Sequence, residues 1–256
     1  PFSGWLMAAM YNLFGHWNFI VYLFGQICIL LGFIYTYKLA KFFLSEEKAF
    51  CSVMILEACY YYTYYIYINS YNCNVLLMGL WPIIIYYFYK SVKFNNTKDW
   101  ILYGLTIGLG FLAKYQTMFL FIAMALYLIL ANREAFKKKG LYISACVAFL
   151  TVLPHIIWLF ANDFFSFAYM LGRTQADSNN LPLIAAKFSH IFYPIKFIVG
   201  QFLALAASIG LYLIIAIQAK NIQFKNNEAN KFDKTLLTQI IGTIRISISN
   251  IKIVGS

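Results

Sequence analysis

Charged residues, and acidic residues above all, are scarce in this sequence. Asp and Glu number nine against 20 Lys and Arg, and charged residues make up 11% of the chain. A soluble globular domain carries about 25% charged residues, so the composition excludes an ordinary soluble domain. Hydrophobic residues make up 62%, and several apolar runs are long enough to cross a bilayer. The sequence therefore predicts an all-α, polytopic helical membrane protein.

Metal-ligand patterns are also missing from the sequence. It holds three histidines and five cysteines, and no two cysteines have the CxxC spacing. Four of the cysteines lie inside apolar runs, where a cysteine usually acts as a small hydrophobic residue. We therefore expect neither a metal site nor a cofactor.

Basic residues occur mainly in three short clusters between apolar runs, at 38–48, 90–98 and 132–140. All three clusters fall on one side if every apolar run crosses the membrane. Because Lys and Arg are retained on the cytoplasmic side, the net charge of +11 indicates membrane topology and not a nucleic-acid partner. The opposite, extracytoplasmic side would hold the remaining polar segments: 1–16, 69–74, 114–116 and 161–195.

Three regions follow from this pattern. We predict an interfacial extracytoplasmic helix over 1–16, a transmembrane core over 17–218 with an outer loop at 161–195, and a polar cytoplasmic tail over 219–256 without an assigned role. About seven membrane segments are predicted in the core: 17–37, 49–68, 75–89, 100–113, 116–131, 141–160 and 196–217. Because the sequence begins at Pro1 and not at Met, we expect it to be a fragment of a longer protein.

A lysine at position 114 separates two of the apolar runs. A cation between two membrane segments is costly unless it pairs or faces water, so Lys114 is a candidate functional residue. The alternative is a lysine that snorkels, with its stem in lipid and its ammonium among the headgroups. Gly104, Gly108 and Gly110 precede it and favour the first interpretation, because small residues four apart let another helix approach closely.

Three polar motifs occur in a fixed order along the chain. The first is Asn-Cys-Asn-Val at 72–75, followed by Leu-Trp-Pro at 80–82. The second is the glycine-rich run at 100–115, which ends in Leu-Ala-Lys-Tyr. The third is Pro-His-x-x-Trp at 154–158, with Asn-Asp at 162–163. Together they resemble the bacterial membrane glycosyltransferases of family 39, the protein-mannosyltransferase-like and aminoarabinose-transferase-like enzymes with the GT-C fold. The resemblance covers roughly residues 1 to 173.

The resemblance implies sugar transfer on the outer face of the bacterial cytoplasmic membrane. Such enzymes are embedded among the membrane lipids. They pass a sugar from a polyprenyl-phosphate donor to an acceptor that is a lipid, a glycan or a protein. The reaction needs a carboxylate to activate the acceptor hydroxyl and cations to stabilise the departing phosphate. In the family, that carboxylate is an aspartate on the first outer loop, before a His-Pro-Pro motif. This sequence starts after that motif, so we assign no catalytic base and expect the fragment alone to be inactive.

The resemblance also implies roles for individual side chains. Residues expected to contact the lipid phosphate or the donor are Lys114, Tyr115 and Arg173. Residues expected to border the substrate cavity are Asn72, Asn74, His155, Asn162, Asp163 and Tyr169. Structural roles remain open for several of them. Arg173 is equally compatible with a solvated loop, and Asn162-Asp163 with the N-cap of a loop helix. The asparagines at 72 and 74 are also compatible with a turn. A lone histidine is more often a structural hydrogen-bond donor, but the position and motif of His155 favour the substrate site.

Two other classes of function are compatible with the sequence. A transporter or flippase also combines broken helices with a buried lysine and a site near the bilayer midplane, but it commonly contains an internal repeat, and none is visible here. A non-catalytic membrane subunit is the other alternative, since the expected aspartate base is not in the chain.

Overall fold

The computed structural model describes residues 1–15, 18–63, 65, 71–164 and 183–218, with side chains described from 195 to 213 in the last range. All regular structure in these ranges is helical, which confirms the predicted all-α class. The helices are α1 (Phe2–Phe14), α2 (Asn18–Ala40), α3 (Glu46–Glu57), α4 (Cys73–Phe94), α5 (Thr97–Ala113), α6 (Thr117–Ala131), a 3-10 helix (Arg133–Lys137), α7 (Lys139–Ala161) and α8 (Leu183–Gln218).

Four helices in the described ranges are long and apolar enough to cross a membrane. Their spanning segments are Phe19–Ala40, Cys73–Phe94, Lys139–Ala161 and Ile195–Leu213. The apolar helix α6 has 15 residues and so measures about 23 Å at 1.5 Å per residue, against roughly 30 Å of hydrocarbon. The chain is therefore a helical membrane protein, but the expected number of seven membrane segments is not confirmed.

The predicted span over 49–68 is not one helix. Helix α3 ends at Glu57, and turns follow, with Cys59 N–H donating to Leu56 O at 3.0 Å and Tyr62 N–H to Cys59 O at 2.9 Å. These turns bury Tyr61 and its neighbour Tyr62, which are only 2% and 8% exposed. Adjacent residues of a helix point in different directions, so the break lets both rings enter the core.

Helix α4 is the centre of the bundle. In its spanning segment 72% of the residues are buried, against 17% in α7 and 11% in α8. Ile84, Ile85 and Phe88 are completely buried, and α4 packs along α2 on one side and α5 on the other. The low burial of α7 and α8 leaves apolar side chains facing outward, as expected for helices in contact with lipid.

Helices α5 and α7 pack backbone to backbone. A Cβ atom on Gly104 would overlap Ser144 O, and one on Gly108 would lie 2.8 Å from Thr151 Cβ. The close helix approach predicted from the glycine spacing is confirmed. Because this contact fixes α5, it also fixes the position of Lys114 immediately after it.

The three basic clusters gather at one end of the bundle, which we call the lysine-rich end. The rings of Phe42 and Phe94 lie 5.9 Å apart and join the first cluster to the second. Lys138 Nζ donates to Val92 O at 2.7 Å and joins the third cluster to the second. This arrangement agrees with the sidedness predicted from the sequence.

An ion pair connects α4 and α5 at the lysine-rich end. Lys90 Nζ lies 2.9 Å from Asp99 Oδ1, and the side chains are 27% and 6% exposed. Between the two helices, Asn95 adopts the left-handed conformation with φ 52° that an asparagine tolerates, and Asn96 Oδ1 accepts from Lys98 N–H at 3.2 Å and caps α5. The pair therefore ties two adjacent helices on either side of a short turn.

Candidate functional site

Lys114 ends α5 at the opposite end of the bundle. It is the C-cap residue, with an extended backbone, and its N–H donates to Gly110 O at 3.0 Å. Thr117 Oγ1 donates to the same carbonyl at 2.8 Å, so the connection between α5 and α6 is tied to the last turn of α5. A cation at a helix C-terminus is stabilised by the helix dipole.

The Lys114 side chain reaches the start of α4. Its Nζ donates to Asn74 Oδ1 at 2.7 Å, and Asn74 Nδ2 donates to the Tyr65 hydroxyl at 3.0 Å. Asn72 has a different task, because its Oδ1 accepts from the N–H groups of Asn74 at 2.8 Å and Val75 at 3.1 Å. Asn72 is thus the N-cap of α4, and Asn74 is the partner of the lysine.

No acidic side chain of the described residues pairs with Lys114. Salt bridges in these ranges include Lys41–Glu46 and Lys90–Asp99, and neither involves Lys114. Burial lowers the pKa of the Lys114 ammonium, and the nearby Cys73 thiol opposes this effect. An ammonium has three N–H donors, and an anion beside it would offset the desolvation that burial imposes.

Tyr115 and His155 form a second contact at this end. The Tyr115 hydroxyl and His155 Nε2 are 2.7 Å apart, and His155 is 5% exposed. The His155 ring stacks on Trp158 with centroids 5.7 Å apart and planes at 16°. This contact joins the residue that follows Lys114 to α7. The start of α4, the end of α5 and the C-terminal half of α7 therefore meet near the lysine.

The Asn162-Asp163 pair lies at the end of α7 and does not act as an N-cap. Asn162 is the C-cap of α7, and its Nδ2 donates to Trp158 O at 2.8 Å. Asp163 has φ 48°, whereas an N-cap residue is extended. Both residues are exposed. Tyr169 and Arg173, the other two predicted site residues, lie outside the described residues.

Two residues that the sequence did not single out belong to this region. Tyr65 contacts both asparagines at the start of α4, with its hydroxyl 3.5 Å from Asn72 Nδ2. Gln116 Oε1 is buried without a hydrogen-bond partner in the described part of the chain. Tyr65 falls in a run of similar tyrosines, and no spacing distinguishes it from its neighbours. No three His, Cys, Asp or Glu side chains among the described residues are grouped so that they could hold a metal ion.

Comparison with known proteins places the chain in a family. The model of the dolichyl-phosphate-mannose-protein mannosyltransferase family matches residues 1–158. The lipopolysaccharide core galacturonosyltransferase RgtB of Rhizobium johnstonii is 31% identical over 116 residues, which is 43% of this chain and 23% of that protein. No solved structure matches. The family model covers more than half of the chain, including the glycine-rich run, Lys114 and His155, and agrees with the resemblance seen in the motifs. The chain therefore belongs to the dolichyl-phosphate-mannose-protein mannosyltransferase family.

Proposed function

We propose that this chain is part of a membrane glycosyltransferase that transfers a sugar from a polyprenyl-phosphate donor to a lipid, glycan or protein acceptor. Membership in a mannosyltransferase family supports sugar transfer, and the similarity to a galacturonosyltransferase supports it further. Neither observation favours a transporter or a non-catalytic subunit.

The observation that carries the proposal is the environment of Lys114. Its ammonium is half-buried, held by Asn74 Oδ1 at 2.7 Å, and has no acidic partner among the described residues. When a sugar leaves a polyprenyl phosphate, negative charge develops on the phosphate oxygens. A fixed cation in a partly dehydrated place stabilises that charge more than water would, and an ammonium binds phosphate as a point charge.

Neighbouring side chains would hold the lysine in place. Asn74 receives a hydrogen bond from Lys114 and gives one to Tyr65, so its amide orients the ammonium without neutralising it. The contact between Tyr115 and His155 restrains the connection that carries Lys114. In this proposal both pairs are positioning groups, and the phosphate contact belongs to Lys114.

The donor proposal is tested by comparing two kinds of activated sugar. Membranes from cells that express the complete gene would receive labelled mannose or galacturonic acid, either on a polyprenyl phosphate or on a nucleotide. We expect transfer from at least one polyprenyl-phosphate sugar to exceed transfer from the matching nucleotide sugar by tenfold or more. Membranes from cells without the gene provide the background. Transfer from the nucleotide sugar alone would overturn the donor class while leaving a glycosyltransferase in place.

We further propose that the Lys114 end faces the extracytoplasmic side. The three basic clusters lie together at the other end, which the positive-inside rule assigns to the cytoplasm. In intact cells, an impermeant thiol reagent should label Ser178→Cys and leave Lys137→Cys unlabelled, both in a background without native cysteines. The opposite labelling pattern would reverse the orientation.

A further inference from the structure

A cavity of about 420 Å³ opens at the lysine-rich end. It lies where the α4–α5 turn, the 3-10 helix and the start of α7 meet. Its lining includes Asn95, Thr97, Trp100, Lys137, Lys138 and Lys139. This cavity and Lys114 lie at opposite ends of α5. The cavity has no part in the proposed sugar transfer.

The lining of the cavity is strongly basic. Three consecutive lysines border it, and no carboxylate among the described residues does. Lys138 is held in place because its Nζ donates to Val92 O at 2.7 Å, whereas Lys137 and Lys139 are exposed. One ammonium is therefore fixed at the edge and two are free to close on a ligand. The matching ligand is an anion.

Two helices begin at the cavity, and the start of α7 adds positive potential, whereas α5 carries Asp99 in its first turn and is capped by Asn96. Thr97 starts α5 and Lys139 starts α7. Helix α7 has no side-chain cap and no acidic residue in its first turn, so its positive end is not neutralised by the chain itself. Phosphate groups bind at such helix starts through the backbone N–H groups.

The wall of the cavity is rigidly built. Trp100 is completely buried, and its Nε1 donates to Asn95 Oδ1 at 3.1 Å. Gly140 lies directly against the indole, where a Cβ atom would overlap Trp100 Cδ1. The indole ring thus fixes the distance between the turn and the start of α7, and the cavity is a consequence of this packing.

Exposed aromatic residues lie close in sequence to the residues that line the cavity. Phe94 is 54% exposed, Phe136 42% and Tyr142 63%, and the Tyr142 hydroxyl donates to Phe136 O at 3.0 Å. Aromatic rings favour the boundary between headgroups and acyl chains, and the spanning segment of α7 begins at Lys139. The cavity therefore lies at the depth of lipid headgroups.

We propose that this cavity is a binding site for the phosphate headgroup of an anionic phospholipid. Basic pockets between membrane helices recognise such headgroups by charge. The exposed rings next to the lining residues in the sequence suit the acyl chains of a lipid, which a free anion in water lacks.

Native mass spectrometry of the purified chain tests the proposal. The chain in detergent would receive equal amounts of phosphatidylglycerol and phosphatidylcholine. We expect one phosphatidylglycerol to be retained, with an affinity at least about tenfold above that for phosphatidylcholine. The variant Lys137→Gln/Lys139→Gln should lose this preference by about tenfold or more. The variant Lys38→Gln/Lys41→Gln removes the same charge from another cluster at the same end and should keep the preference.

Two outcomes would overturn the lipid site. The first is equal retention of phosphatidylglycerol and phosphatidylcholine, or an equal loss of the preference in both double variants. An equal loss would mean that only the net charge of this end matters. The second is displacement of phosphatidylglycerol by millimolar inorganic phosphate while the thermal unfolding midpoint of the protein stays the same. This result would indicate that the ligand of the cavity is a free anion. Folding of each variant is checked by its thermal unfolding midpoint without added lipid. Both midpoints should stay close to that of the unmodified chain, because neither variant removes the contact from Lys138 to Val92.

Discussion

Replacement of Lys114 by Met should lower sugar transfer by at least about tenfold and leave the protein folded. Methionine keeps most of the apolar stem and removes the charge that would face the phosphate. A hydrogen bond to a charged group contributes about 1.5–3 kcal/mol, and about 1.36 kcal/mol corresponds to a tenfold change in rate. Initial rates would be measured in reconstituted membranes with the complete protein and saturating acceptor.

Two further variants sharpen this expectation. Lys114→Arg should restore only part of the rate, because a planar guanidinium cannot occupy the place of a compact ammonium beside Asn74. Lys98→Met removes an exposed lysine from the first turn of α5, at the opposite end of the same helix, and should transfer sugar at the normal rate. If Lys114→Met matches the unmodified protein in donor affinity and turnover, then Lys114 only snorkels. The phosphate contact would then have to be sought around Arg173.

Replacement of Lys90 by Met should destabilise the protein by roughly 3 kcal/mol, the lower end of the cost of breaking a buried pair. Asp99 is 4% exposed, so its carboxylate would lose its partner without gaining water. The lower end of the range applies because about a quarter of the Lys90 side chain is exposed. The free energy of unfolding would be measured by denaturant titration in detergent.

The double variant Lys90→Met/Asp99→Asn should recover most of this loss, since no unpaired charge remains. The matched control is Lys41→Met, which breaks the exposed pair with Glu46 and should leave the unfolding curve nearly unchanged. If Lys90→Met destabilises the protein no more than Lys41→Met does, the ion pair between α4 and α5 contributes nothing to the fold.

Sequence alone predicted the features that depend on local composition. Apolar runs predict helices, and the glycines before Lys114 predict the close contact with α7, because both follow from short-range chemistry. The break after Glu57 is not predictable in the same way. Membrane segments are apolar on all sides, so the run at 49–68 carries no periodicity that would mark where a helix ends. In the structure the break coincides with the burial of Tyr61 and Tyr62 against the rest of the bundle.

The sequence predicted which residues belong to the candidate site, but it did not predict which of them contact one another. The motifs single out Asn74, Lys114 and His155, but the hydrogen bond from Lys114 to Asn74 joins residues 40 positions apart. Such a contact depends on how α4 packs against α5. The basic cavity has the same origin, because it exists only where Trp100 meets Gly140. Charge counting indicates a basic end of the molecule, and the fold alone shapes a cavity there.

The contact between α5 and α7 has a constant register. Residue 100 meets 140, 104 meets 144, and 108 meets both 148 and 151, which is one turn further along α7. Just beyond the end of α5, Tyr115 meets His155. An offset of 40 positions recurs at all four sites, so the two helices run parallel. One residue inserted between Gly108 and Tyr115 would rotate all that follows by about 100° and advance it by about 1.5 Å. Tyr115 would then lose His155, and Lys114 would turn away from Asn74. The length of α5 is therefore as much a determinant of this end of the molecule as any of its side chains.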